Sequence, residues 1–131
     1  MTIYMFPMSA IYDGEVVAIK FFIDESIMRR EQSVYLALNA TRNPKIEEKG
    51  IPNLYANGEM FRCDPYIAMT LFEESLHSRW EFQNKTFEIY STLYVFLQSV
   101  RTLSYIHNKG VVHNDIKPQN IFLRKNEVFI G

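Results

Sequence analysis

The sequence predicts an α+β fold: a mostly antiparallel sheet carrying one helix, then further helices and a polar loop. Three observations predict it. Asp13-Gly14 lies between two strand-like stretches and marks a hairpin turn. Ser26 to Asn39 and Asn84 to Asn108 place apolar residues at helical spacing. Apolar runs at Val16 to Ile23 and Tyr66 to Phe72 have strand length and strand composition.

The whole chain sets the bounds. Its 131 residues suit one ordinary domain, and 47% hydrophobic with 15% aromatic content suits a packed core. A formal net charge of −1 gives no electrostatic case for nucleic acid or an anionic membrane. Cys63 is the only cysteine, which excludes an internal disulfide and a cysteine-based zinc site. An intracellular setting, cytoplasmic or nuclear, is expected. The first ten residues lack a basic region and contain Pro7, so they do not read as a signal peptide. No apolar run approaches the roughly 18 residues of a membrane span.

The elements follow in order. Thr2 to Ile11 is strand-like, and Tyr12 to Glu15 is the turn. Val16 to Ile23 is an apolar strand whose alternation puts Val16, Ala18, Lys20 and Phe22 on one face. A buried ammonium there needs a partner. The alternative is a lysine that snorkels to the strand edge. In the helix that follows, Ile27, Met28, Val34, Tyr35 and Leu38 share a face, and Glu31 lies on it. Pairing Lys20 with Glu31 solves both desolvation problems.

Asn43 to Gly50 reads as a loop. Ile51 to Met60 is a short strand region, with Asn57-Gly58 as the hairpin turn into the strand Tyr66 to Phe72. Asn84 to Asn108 reads as one helix with Leu93, Phe96, Leu97, Val100, Leu103 and His107 on one stripe. Lys109-Gly110 stops it. A polar stretch rich in His, Asp, Lys and Asn follows, and on its own it is a turn between helix and strand.

The motifs narrow this. Val111 to Leu123, VVHNDIKPQNIFL, resembles the catalytic loop H-x-D-x-K-P-x-N of eukaryotic-type protein kinases. The preceding YIHNKGVVHND is similar to the kinase stretch Y-I-H-x-x-x-x-I-H-R-D. VAIK, Val17 to Lys20, with an inward Glu on the next helix resembles the kinase lysine–glutamate pair. MTLFEESL, Met69 to Leu76, and GIPNLYANGE, Gly50 to Glu59, are similar to stretches of the casein-kinase-one group, as is EQSVYLAL.

This resemblance implies a protein-kinase-like fold. Residues 1–72 would be a partial N-terminal lobe with its hinge, and residues 73–131 the start of the C-terminal lobe through the catalytic loop. It implies a serine/threonine protein kinase that uses ATP and Mg2+. Asp115 would accept the proton of the substrate hydroxyl, Lys117 would steady the γ-phosphate, and Asn120 would ligate magnesium. Lys20, held by Glu31, would meet the α- and β-phosphates, with Ala18 and the gatekeeper Met69 lining the nucleotide. The backbone of Thr70, Leu71 and Phe72 would meet adenine. His113 would brace the backbone rather than react.

The pattern also departs from the family. Asn114 stands where many kinases carry Arg, and an amide cannot make that residue's bidentate contact with a phosphate. Glu73-Glu74 replaces the group's Gly-Pro. No G-x-G-x-x-G precedes Val16, and the chain ends at Gly131, where the D-F-G aspartate is expected. Both ends of the domain are therefore expected to be truncated, with weak or no turnover by this chain alone and exposed apolar surface on the long helix. A protein substrate is the implied partner. Another kinase, or the missing part of the C-terminal lobe, is the implied binding partner. Three readings remain: the central part of a kinase, a truncated kinase-like module that docks on a kinase or its substrate without catalysis, and a partial product of an active kinase.

Overall fold

The computed structural model describes residues 8–60 and 64–131. Thr2 to Pro7 of the first expected strand, and Cys63, lie outside the described residues. The chain divides into two compact units, the first holding Asn53–Leu71 with the residues up to Pro44, the second Lys45–Pro52 with Phe72–Gly131.

In the first unit β1 (Met8–Tyr12) and β2 (Glu15–Phe21) form the expected hairpin. Asp13 and Gly14 both have positive φ, 52° and 83°, as a tight turn between twisted strands requires. Helix α1 (Glu25–Ala37) follows, capped by Asp24, whose carboxylate accepts the Ile27 N–H at 3.1 Å. Strands β3 (Leu54–Met60) and β4 (Asp64–Thr70) complete an antiparallel sheet in the order β1-β2-β4-β3.

One face of this sheet carries Val17, Ile19 and Ala68, packed by Tyr12, Phe21, Tyr55 and Tyr66. On α1, Met28 and Tyr35 are buried. Val34, expected on the inner face, is 39% exposed. Burial, and then the neighbouring Glu31 carboxylate, push the Tyr35 phenol up.

Asn57-Gly58 is not a turn. Both residues lie inside β3, paired with Ile67 and Tyr66. A Cβ at Gly58 would sit 3.2 Å from the Tyr66 ring, so a larger residue there would require that ring to shift.

The second unit begins with α2 (Pro44–Glu47), a single turn of helix within the expected loop. It continues with β5 (Glu74–Ser75), α3 (Leu76–Phe82), α4 (Ile89–Asn108), a 3-10 turn at Pro118–Asn120, and the hairpin β6 (Ile121–Arg124) and β7 (Glu127–Ile130). The three strands pair in the order β5-β6-β7. Residues 45–52 join this unit through backbone contacts. Ile130 N–H donates to Gly50 O at 2.9 Å, and the Thr102 hydroxyl to Lys49 O at 2.8 Å.

The expected long helix starts late. Asn84 and Lys85 have φ of 54° and 60°, which ends α3 and separates it from α4. The packed face of α4 is also not the apolar stripe. Ser99, Thr102 and Ile106 are buried, while Leu93, Phe96, Leu97 and Val100 are 55, 66, 47 and 44% exposed. The small residues let other backbone come close. Gly50, at φ 76°, lies so near that a Cβ would clash with Thr102 Oγ1 and would meet Val128 O at 2.8 Å.

Candidate functional site

In the first unit the site is built on β2. Antiparallel partners share a face. Ala18 opposite Met69, and Lys20 opposite Ile67, therefore stand together on the face away from Val17 and Ile19. Lys20 donates to both Glu31 carboxylate oxygens, at 2.7 and 2.8 Å. The side chains are 18% and 24% exposed, so the pair is largely withdrawn from water and each charge is the other's main solvation. The ammonium also lies 5.3 Å from the Phe22 ring centroid. The structure thus brings together Ala18, Lys20, Glu31 and Met69.

The side chains of the three expected hinge residues pack in different places. Thr70 is buried on the opposite face; its hydroxyl accepts the Asn53 N–H at 2.7 Å and its own N–H donates to Asn53 O at 3.0 Å. Leu71 is outside the strand pairing. The Phe72 ring packs in the second unit, stacked 4.9 Å from Phe122 and tilted 5.0 Å from Phe129.

In the second unit the polar stretch after α4 is held by its own side chains. The His113 Nδ1 accepts the Asp115 N–H at 3.1 Å, which fixes the proton on Nε2, and Nε2 donates to Gly131 O at 2.7 Å. Asn114, between them, has φ 64°. Asn120 Nδ2 donates to both the carbonyl and Oδ2 of Asp115, each at 2.9 Å. Lys117 Nζ approaches the same Oδ2 at 3.5 Å. The Asn120 N–H donates to Lys117 O, and the Asn120 carbonyl accepts the Gly131 N–H.

Two oxygens are left with no partner among the described residues: Oδ1 of Asp115 and Oδ1 of Asn120. The first can accept a proton from an approaching hydroxyl while Oδ2 is held in place. The second is a hard amide oxygen, the donor that Mg2+ prefers. The residues present therefore fit a magnesium ligand at Asn120 and a basic carboxylate at Asp115. Among the described residues no group of three or more His, Cys, Asp or Glu side chains could hold a metal by itself.

The sequence missed Gly131 as the partner of His113 and Asn53 as the partner of Thr70. Both are backbone contacts without a side-chain signature. It also read Glu74 only as a replacement in the group's Gly-Pro, and it gave Arg79 no role. They pair, with Arg79 Nε donating to Glu74 at 2.6 Å.

The protein kinase domain family matches residues 7–130. A probable casein kinase I homolog of Encephalitozoon cuniculi is 32% identical over 96 residues, 71% of this chain and 29% of that protein. A putative serine/threonine-protein kinase of Acanthamoeba polyphaga mimivirus is 32% identical over 112 residues, 82% of this chain and 40% of that protein. Casein kinase II subunit alpha' of Saccharomyces cerevisiae is 26% identical over 115 residues, 81% of this chain and 34% of that protein. The chain therefore spans well under half the length of these relatives.

Proposed function

The chain belongs to the protein kinase domain family, and from this we propose that it is part of a serine/threonine protein kinase that moves the γ-phosphate of ATP to a protein hydroxyl. The observation that carries the proposal is the Asp115 carboxylate, held through Oδ2 by Asn120 and Lys117 and open at Oδ1. Phosphoryl transfer needs positioning and charge stabilisation more than covalent chemistry. Oδ1 of Asp115 receives the hydroxyl proton. Lys117, two residues on, meets the transferred phosphoryl oxygens, and its place in the loop supports serine or threonine as acceptor. Asn120 offers its amide oxygen to Mg2+, which when bound neutralises phosphate charge. Lys20, kept extended by Glu31, meets the nucleotide phosphates, and Ala18 and Met69 line the base. No helix among the described residues is long and apolar enough to cross a membrane.

A second reading is a kinase-like module that docks without catalysis, and the exposed apolar face of α4 favours it. One experiment separates them. The chain is titrated calorimetrically with a magnesium complex of a non-hydrolysable ATP analogue, and assayed for labelled phosphate transfer from ATP to dephosphorylated casein. The kinase reading expects binding that Lys20→Met weakens, and transfer that Asp115→Asn removes while binding persists. Binding without transfer supports the docking module. Absence of binding, or transfer untouched by Asp115→Asn, defeats the assignment of these residues.

A further inference from the structure

The second unit contains a cleft of about 570 Å³ that uses none of the residues assigned above. It lies between α3, the segment after it, the first half of α4 and the turn of the β6–β7 hairpin. Its walls are mostly apolar: Leu76, Phe87, Tyr90, Val95, Leu123 and Val128. The volume falls within the range of small-molecule sites, and an apolar cleft with a few convergent polar groups is their usual form.

The polar groups decide the ligand. Arg79 lines the cleft, but Glu74 binds its Nε and Nη2, so its charge is already matched. The same contact pushes the guanidinium pKa up. Lys125 is different. It occupies the two-residue turn between β6 and β7 at φ 56°, on the rim, with no carboxylate or hydrogen-bond partner among the described residues. The nearby Glu127 is tied to Arg124 at 3.1 Å. Tyr94 is fixed on the other wall, its hydroxyl donating to Asn126 O at 2.9 Å. The turn that carries the lysine is thereby anchored to the helix that supplies the aromatic wall.

We propose that this cleft binds a small amphipathic acid, an aromatic or apolar body with one anionic group. The body lies against Phe87, Tyr90 and Val95, and the anion meets Lys125.

Anilinonaphthalene sulfonate is a suitable probe, because it joins an aromatic body to one anion. Its fluorescence is titrated against the full chain and three variants, each first checked for an unchanged melting curve. Lys125→Glu is expected to weaken binding about tenfold, the worth of a charge-assisted contact. Ser91→Trp, which places a ring in the cleft, is expected to abolish it. Leu97→Glu, on the exposed face of α4 outside the cleft, is expected to leave it unchanged. N-phenylnaphthylamine, which lacks the sulfonate, is expected to bind about as weakly as the sulfonate binds the Lys125 variant. Amide shifts in a nuclear magnetic resonance titration are expected at Ser91, Tyr94 and Lys125. The proposal is overturned if no saturable binding is seen. It is also overturned if Leu97→Glu rather than Ser91→Trp removes binding, or if the uncharged probe binds as well as the sulfonate.

Discussion

Lys20 and Glu31 are each tolerable only because of the other. Replacing Lys20 with Met leaves a carboxylate that is 24% exposed without its ammonium. Removing one partner of a buried pair costs about 3–5 kcal/mol, and partial exposure here brings the expected loss to roughly 1–3 kcal/mol. The double change Lys20→Met with Glu31→Leu removes the orphan as well and is expected to recover most of that loss in urea unfolding. Nucleotide binding stays lost in both, which separates the structural role from the functional one. Asn114 makes a second case. It holds φ 64°, a conformation that asparagine tolerates better than most residues. Asn114→Gly is expected to be near neutral and Asn114→Val to cost about 1–2 kcal/mol by the same measurement. At this scale the sequence was informative where two charges stood inward on regular elements. The inward Lys20 and Glu31 could be matched from periodicity alone. The contact of Asn120 with Asp115 could not, because it depends on how an irregular loop turns back over five residues. Nor could the burial of Thr70, which depends on Asn53 arriving from another segment.

Whole elements were legible where a start or stop signal coincided with periodicity. Asp13-Gly14 and the helix after Asp24 are examples. Elsewhere packing decided what a local pattern could not. Asn57-Gly58 is a hairpin signal, yet the strand runs through it, paired with Ile67 and Tyr66, and the Tyr66 ring lies over Gly58. The apolar stripe of α4 is exposed, as expected, and the helix packs instead by Ser99 and Thr102, which admit the backbone of Gly50. That closeness predicts the outcome of Gly50→Ala. The methyl would meet Thr102 Oγ1 and Val128 O, and alanine at φ 76° is itself strained. A loss of about 2–4 kcal/mol in chemical unfolding is expected. Adding Thr102→Ala is expected to recover only part of it, since the Val128 carbonyl remains. The cap of α1 gives a pH dependence. The Ser26 hydroxyl, then the Ile27 N–H, hold the Asp24 carboxyl below its ordinary value. A carboxyl depressed in the folded state contributes stability above its unfolded pKa and loses it as the pH falls through the folded one. Asp24→Ala is therefore expected to melt lower than the parent at neutral pH. The gap between the two melting temperatures is expected to close as the pH is taken down past about 3.9, the ordinary aspartate value.

At the scale of the molecule, the second unit turns Leu93, Phe96, Leu97 and Val100 outward from a single helix, with Ile89 and Tyr90 exposed one turn earlier. Monomeric soluble proteins seldom leave so continuous an apolar stripe in water, and such stripes drive association. The sequence read the stripe correctly as apolar, but periodicity does not say which side of a helix faces the core. The test follows from this distinction. Side chains turned mainly to solvent can be exchanged for Lys or Glu at a cost within about 0.5 kcal/mol, and both residues favour helix. The double variant Phe96→Lys with Leu97→Glu is therefore expected to keep the parent melting temperature. It should also abolish the concentration-dependent self-association that sedimentation velocity is expected to detect in the parent chain. A fall in melting temperature would instead mean that these two side chains are packed in solution. The buried face of α4 would then include this stripe together with the Ser99 and Thr102 face, against the exposed surface that the sequence leads one to expect.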